Sequence, residues 1–221
     1  MSSDDIRVAI IDYEAGNLYS VQHACNFVGL ESKITSDKDE ILSANGAILP
    51  GVGAFGEAME NLNKRGLAET IREFVASGKP FMGVCLGLQL LFTESEEFGL
   101  HQGLDLIKGE VKRFPNKNDL GEPVKVPQIG WNQIYQKDEK KWKNSPLNGV
   151  ENGEFMYFVH SYYVTPRDKN DVLTLTNYEG IEYCSSVCRD NLFATQFHPE
   201  KSSQEGIKIY KNWAEKVKRG K

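Results

Sequence analysis

Along its first ninety or so residues the chain alternates between short unbroken apolar runs and stretches of helical spacing. Ile6 to Asp12, IRVAIID, is an apolar run closed by an acid. That is the pattern of a strand buried on both faces of a parallel sheet. Leu18, Val21, Ala24, Cys25 and Val28 then recur close to the helical period, with Asn17 at the capping position and Gly29 at the stop. Gly46 to Leu49 reads as a second strand, which runs into the glycine-rich loop of LPGVGAFG. Leu67 to Ser77 reads as a helix ended by Gly78-Lys79-Pro80, Phe81 to Val84 as a strand, and Leu86 to Phe92 as the start of another helix. This βαβα rhythm predicts an α/β fold with a mostly parallel central sheet flanked by helices.

The second half is patterned differently. EVKRF, QIGWNQIY, EFMYFVHSYYV, DVLTLTNY, YCSSVC and LFATQFH are rich in β-branched and aromatic residues and are separated by turn signals. They predict additional antiparallel strands in the C-terminal half, packed on the same domain. A last amphipathic helix carries Ile207, Tyr210, Ala214 and Val217 on one side. Pro115 to Pro123, PNKNDLGEP, is the one linker-like stretch and reads as a surface loop. Residues 1–221 are therefore expected to form a single domain.

Composition narrows the classes of function. A net charge of −5 and a pI near 5.5 argue against a nucleic-acid footprint. No apolar run approaches the roughly 18 residues of a membrane helix, and MSSDDIRVAIID has no basic segment followed by an apolar one. A cytoplasmic protein is expected, with Cys25, Cys85, Cys184 and Cys188 as reduced thiols.

Gly83-Val84-Cys85-Leu86-Gly87 has the form G-x-C-x-G between a strand pattern and a helix pattern. With serine at its centre this layout is a nucleophile elbow, in which glycines allow a strained bend that lifts the nucleophile clear of the sheet. A thiol there sits at a helix N-terminus, which favours the thiolate, and the Leu86 N–H points to where an oxyanion would form. The pentapeptide alone is about as compatible with a buried thiol in a tight turn.

Acyl transfer by a thiolate needs a base, and the base needs an orienting group. His198 ends an apolar strand in ATQFHPEKS, where catalytic groups of α/β sheets collect. Glu200 lies two residues on and, in extended chain, on the same side. By itself HPE reads as a charged surface turn. Combined with the elbow it completes a triad in the order Cys85, His198, Glu200. The loop Leu49 to Phe55 follows a strand and exposes backbone N–H groups suited to an oxyanion. It lacks the G-x-x-x-x-G-K-[ST] form of a phosphate loop.

GVCLGLQLLF with FHPEKS resembles the class I, triad-type glutamine amidotransferases. DYEAGN, LPGVGAFGEAM, GWNQI and YFVHSYYV narrow the resemblance to the glutaminase subunits of imidazole glycerol phosphate synthase, from about Ile6 to the final helix. The resemblance implies that Cys85 attacks the side-chain amide of glutamine, with His198 shuttling protons and Glu200 orienting it. Val52, Gly53 and Leu86 would serve the oxyanion. Gly53, Gln89, Glu97, His160, Ser161 and Tyr162 would line the glutamine pocket, with Glu97 toward the α-amino group. Ammonia would pass to a (β/α)₈-barrel cyclase subunit, the other half of a heterodimer. That subunit makes imidazole glycerol phosphate and aminoimidazole carboxamide ribotide in histidine biosynthesis. Asn17, Trp131, Tyr157 and Lys201 fall at positions near that interface. No cofactor and no metal is implied.

Two positions depart from the family pattern: Gln128, where histidine is expected, and the pair Glu14-Ala15 in DYEAGN. They motivate an alternative in which the same chemistry feeds an N-acetyl-sugar amidotransferase of surface polysaccharide synthesis. A catalytically silent scaffold is a further alternative, against which the filled triad argues. The remaining candidates read as structural. Cys184 and Cys188 form a C-x₃-C pair with no second pair to complete a metal site. His23 and His101 have no acid or cysteine at useful spacing. Cys25 and the three tryptophans read as packing, and KDEKKWK, Lys137 to Lys143, as a solvated loop.

Overall fold

The structure is a computed structural model and describes residues 7–219. Its elements in chain order are β1 (Arg7–Ile11), α1 (Leu18–Phe27), β2 (Glu31–Thr35), α2 (Lys38–Ser43), β3 (Gly46–Gly51), α3 (Phe55–Lys64), α4 (Leu67–Ala76), β4 (Phe81–Cys85), α5 (Leu86–Leu90), β5 (Phe92–Ser95), β6 (His101–Gln102) and β7 (Ile107–Arg113). They continue with β8 (Gln128–Gln133), β9 (Tyr135–Gln136), α6 (Glu139–Lys143), β10 (Phe155–His160), β11 (Tyr162–Pro166), β12 (Val172–Tyr178), β13 (Ile181–Arg189), β14 (Leu192–Thr195) and α7 (Ser203–Arg219). A 3₁₀ turn, Pro199–Lys201, joins β14 to α7.

Among the described residues one sheet holds 12 strands, in the order β2-β1-β3-β4-β14-β13-β11-β7-β5-β6, with β12 and β9 branching from β13. Strands β2, β1, β3, β4 and β14 are mutually parallel. Beyond β14 the pairings β14–β13, β13–β11 and β11–β7 are antiparallel. The expected parallel α/β sheet with antiparallel additions is therefore the fold observed. Side chains alternate between two cores, as a period of two requires. Val8 and Ile10 of β1 pack with Val21 and Cys25 of α1 and with Tyr210 and Trp213 of α7. Ala9 and Ile11 pack with Phe55, Leu62, Ile71 and Phe74 of α3 and α4 on the opposite face.

Several local expectations are corrected. Ile6, expected to open the first strand, lies outside the described residues. The helix expected from Leu86 to Phe92 stops at Leu90, and Phe92 already belongs to β5. Long-range pairing overrides helix propagation there, because the N–H groups of Leu104 and Ile107 take the carbonyls of Leu90 and Leu91 at 2.8 and 2.9 Å. EFMYFVHSYYV is two strands broken at Ser161. β10 pairs with β8 in a separate two-stranded sheet, whereas β11 joins the main sheet. KDEKKWK is no solvated loop. Asp138 caps α6 by accepting the Lys141 N–H at 2.7 Å, and buried Trp142 donates to the Val150 carbonyl at 3.0 Å. Asn17 does precede α1, but its side chain accepts the Ser20 hydroxyl at 2.8 Å and caps no backbone N–H. No helix among the described residues is long and apolar enough to cross a membrane.

The turn from β4 into α5 is the tightest packing in the sheet's middle. A Cβ built on Gly87 falls 1.8 Å from the Leu49 carbonyl oxygen of β3, and one built on Gly51 falls 2.8 Å from Leu86 Cβ. Glycine at both positions lets α5 settle directly on the carboxyl end of β3. Gly87→Ala should therefore destabilise the fold by about 3 kcal/mol, the upper end of ordinary overpacking costs. The check is a urea midpoint that falls with unchanged m-value. A midpoint equal to wild type would mean that α5 is not seated on β3.

Candidate active site

Cys85 is the last residue of β4, and its backbone lies at φ 56, ψ −112. That conformation is costly for any L-residue and is held only where the surroundings over-determine it. The sequence pattern assigns the bend to the flanking glycines. In the structure the cysteine itself carries the strain, while Gly83 and Gly87 make room for it against Ala194 and Leu49. The sulfur points toward the Val159 carbonyl and the Gln196 side-chain amide, both at 3.8 Å.

β14 runs parallel to β4 with Thr195 opposite Val84. The chain leaves β14 through Gln196 and Phe197 to His198, whose N–H bonds the Tyr157 carbonyl at 2.9 Å. Pro199–Lys201 then turns as a 3₁₀ helix and carries Glu200 back onto His198. Nδ1 and Oε1 stand 2.8 Å apart, and both side chains are almost fully buried, at 2% and 1% exposure. The pairing anticipated from extended alternation is thus made by a turn instead. Nε2 of His198 is buried without a hydrogen-bond partner, and the residue lines a cavity together with Cys85.

A cavity of about 340 Å³ brings together Cys85 and His198 with Val52, Gly53, Leu86, Gln89, Glu97, His160, Ser161 and Tyr162. Every residue expected in the pocket therefore lines one space, while Glu200 supports His198 from behind. Pro127 and Val159 also line it and were not anticipated. Gly53 holds φ +97 in the turn between β3 and α3, a conformation glycine adopts without strain. Val52 is half exposed and also lines a second cavity, of about 470 Å³, beside Asp12, Glu14, Ala15 and Glu57.

The electrostatics divide the two histidines. Burial disfavours the charged form of His198, but interaction with Cys85 and the hydrogen bond to Glu200 outweigh it and push the imidazole up to about 10. His160 is pushed down to about 4, by burial above all and by the neighbouring charge of His198, against the opposing pull of the Tyr162 carbonyl. Its Nδ1 lies 2.8 Å from that carbonyl, which only accepts, so the neutral ring carries its proton on Nδ1. Burial raises Glu97, whose carboxylate accepts the Phe55 N–H at 2.6 Å. His101, expected to lack an acidic neighbour, acts on Glu97 in the opposite direction.

Trp131 and Tyr157 meet edge to face at 6.1 Å across β8 and β10, and Lys201 lies over the Tyr157 ring at 6.0 Å. Three of the four expected interface positions therefore form one cluster, with Ile129 and Phe155 exposed on the same two-stranded sheet. The sequence reading missed Gln196. Its signal is the strand register, which carries it alongside Cys85.

Because the folded-state value of His198 lies above its ordinary 6.5, its protonation favours the folded protein. That contribution is complete below about 6.5 and fades as pH rises through about 10. Removing the thiol removes the Cys85 contributions that raise the ring, so Cys85→Ser should move the His198 titration to lower pH. Imidazole NMR signals followed from pH 5 to 11 check this. An unchanged midpoint would mean that sulfur and imidazole do not interact.

Residues 9–217 match the family of class-I glutamine amidotransferases. The imidazole glycerol phosphate synthase subunit HisH of Syntrophotalea carbinolica is 50% identical over 210 residues, which is 94% of this chain and 99% of that protein. The HisH subunit of Aquifex aeolicus is 47% identical over 215 residues, 97% of this chain and 99% of that protein. Among solved structures, PurLQS from Thermotoga maritima superposes with a TM-score of 0.68 at 20% identity, covering 97% of this chain and 98% of that one. The glutaminase domain of Trypanosoma brucei CTPS superposes at 0.64 and 18% identity, covering 97% and 94%. At such identities these two likenesses speak for the fold. The sequence matches, over nearly the whole chain, go further: the chain belongs to the class I glutamine amidotransferases, in the family of the HisH subunits of imidazole glycerol phosphate synthase.

Proposed function

We propose that this chain is the glutaminase subunit of imidazole glycerol phosphate synthase and that Cys85, His198 and Glu200 carry its chemistry. The observation that supports this most is the single cavity, where a strained Cys85, a Glu200-bound His198 and all of the expected pocket residues converge. Cys85 thiolate attacks the side-chain carbonyl carbon of glutamine. The developing oxyanion is taken up by backbone N–H groups of the Val52-Gly53 turn and of Leu86. The imidazolium of His198 gives its proton to the departing amide nitrogen, so ammonia leaves and a γ-glutamyl thioester remains. His198, now neutral, takes a proton from water as the water attacks the thioester. Glutamate is released and the thiolate re-forms. Glu200 fixes the ring through Nδ1, which keeps Nε2 available for both transfers.

Gln89, Glu97 and His160 to Tyr162 form the walls against which glutamine is held. Both N–H groups of Gln89 are already spent, on the Tyr162 carbonyl and on Gln196, each at 3.0 Å. Gln89 therefore offers its oxygen to the substrate.

The aromatic ridge of exposed Trp131 and Phe155 and half-buried Tyr157, with Lys201, serves as the docking surface for a (β/α)₈-barrel cyclase in a cytoplasmic heterodimer. That partner consumes the ammonia in histidine biosynthesis. The relatives that carry the HisH name support this over the sugar-amidation reading, and no feature of the site favours a silent scaffold.

Assembled with the barrel subunit and its nucleotide substrate, the wild-type chain should release glutamate rapidly, and Cys85→Ala should release none above background. Trp131→Ala should weaken partner binding at least tenfold, as loss of a central aromatic anchor does, while Cys85 remains open to alkylation. Glutamate release by the Cys85→Ala complex at the wild-type rate would overturn the triad.

A further inference from the structure

The site holds one polar side chain against the nucleophile that the triad does not use. Gln196 is completely buried, and its backbone N–H bonds the Ser185 carbonyl at 2.8 Å. The β4–β14 register pairs Thr195 with Val84, so one step further along both strands sets Gln196 beside Cys85. Its side-chain nitrogen lies 3.8 Å from the sulfur, within reach of an N–H···S contact.

The direction of this contact is not free. The Tyr162 carbonyl can only accept, and it faces Gln89 at 3.0 Å and His160 Nδ1 at 2.8 Å. The Gln89 atom on it is therefore the amide nitrogen. That nitrogen's second N–H meets the Gln196 amide at 3.0 Å, so the Gln196 atom there is its oxygen. The remaining Gln196 atom, the NH₂, is left facing the sulfur. Turning either amide over would set donor against donor or acceptor against acceptor in a dry interior. The other polar neighbour of the sulfur, the Val159 carbonyl, suits a thiol S–H and opposes a thiolate. The titratable groups around Cys85 are His198, with Glu200 behind it, and Tyr13, whose hydroxyl is committed to the Pro50 carbonyl at 2.9 Å.

We propose that Gln196 is a further catalytic residue, whose amide N–H donates to the Cys85 sulfur whenever it is a thiolate, with Gln89 as the residue that positions it. The inference deepens the glutaminase reading and rests on it. The sulfur bears negative charge twice in the cycle. The first time is before it bonds the amide carbon, and the second is when the thioester C–S bond breaks as water's oxygen bonds that carbon. At the second moment His198 has just taken the water's proton and turns its charge toward the sulfur only as the bond breaks. Gln196 donates throughout without gaining or losing a proton. In the neutral thioester between these moments its contact is weak, so it stabilises the charged states selectively.

The test uses the isolated full-length chain, iodoacetamide as probe, and mass spectrometry to locate the adduct, from pH 6 to 9. Gln196→Met keeps the length and removes the donor, and Gln196→Glu keeps the shape and sets a carboxylate against the sulfur. The pH profile of Cys85 alkylation should move up by about one pH unit in Gln196→Met, and further in Gln196→Glu. In the assembled complex kcat should fall with little change in KM for glutamine. A variant that loses thermal stability but keeps the wild-type alkylation profile overturns the inference. A measurement on wild type needs no variant to fold. The Gln196 side-chain amide proton signal should move upfield when Cys85 is alkylated, and an unmoved signal overturns the inference equally. If Cys85 of the wild type is not the thiol that reacts, the glutaminase reading falls first. If Cys85 reacts and the Gln196 variants match it, only the role of Gln196 falls.

Discussion

The parallel pairing of β4 with β14 is the constraint from which the site follows. It joins residues 111 positions apart in sequence, and it is flanked on the other side by the β3–β4 pairing of Gly51 with Cys85. Three adjacent strands thus end at one level. β3 delivers the Val52-Gly53 turn, β4 the Cys85 thiol, and β14 leads through Gln196 to His198. Neighbouring strands lie about 4.8 Å apart, so groups that continue each strand by one to three residues fall within a bond or two of one another. The crowding this demands explains the glycines. Gly51, Gly83 and Gly87 stand where any side chain would collide with backbone or with a packed neighbour, and Cys85 accepts the backbone strain that remains.

The same crowding makes the site dry, and dryness sorts its two imidazoles. His160 has a carbonyl and the Tyr183 hydroxyl for company, at 2.8 and 3.2 Å, and no anion, so burial keeps it neutral. His198 has the Glu200 carboxylate and the Cys85 sulfur, which together overcome the same burial penalty. One ring is a fixed hydrogen-bond donor, and the other holds a proton it can give away. The proposed cycle needs one mobile proton and has one place for it, set by partners rather than by residue type.

Much of this was legible in the chain, for identifiable reasons. Cys85 and His198 stood out because each sits at a local boundary, an apolar run meeting glycine or proline, and Glu200 because it lies two residues from His198; local signals of this kind survive in sequence. The α/β rhythm was readable for the same reason. The elements that escaped depend on distant partners. α5 ends at Leu90 because residues 104 to 107 claim its last carbonyls. KDEKKWK is helical because Trp142 finds a buried acceptor at Val150. EFMYFVHSYYV divides because its two halves pair with different sheets. Gln196 escaped because a glutamine after an apolar strand resembles any solvated residue. Only the register, unknown until β4 and β14 are seen to be neighbours, sets it against the sulfur.

The break at Ser161 has a structural consequence for the proposed assembly. It lets β10 leave the main sheet and set Tyr157 beside Trp131 in the two-stranded sheet, while the residues at the break line the cavity that holds Cys85 and His198. The backbone of Tyr157 is then clamped from the segment between β14 and α7: its carbonyl accepts the His198 N–H at 2.9 Å and its N–H is held by the Ser202 hydroxyl at 3.0 Å. A surface that rests on Tyr157 therefore bears on the peptide that fixes His198. On the proposed function, in which ammonia is made for a docked acceptor, the docking surface and the base are separated by a single hydrogen bond, and the two-stranded sheet is too small to absorb a displacement on its own.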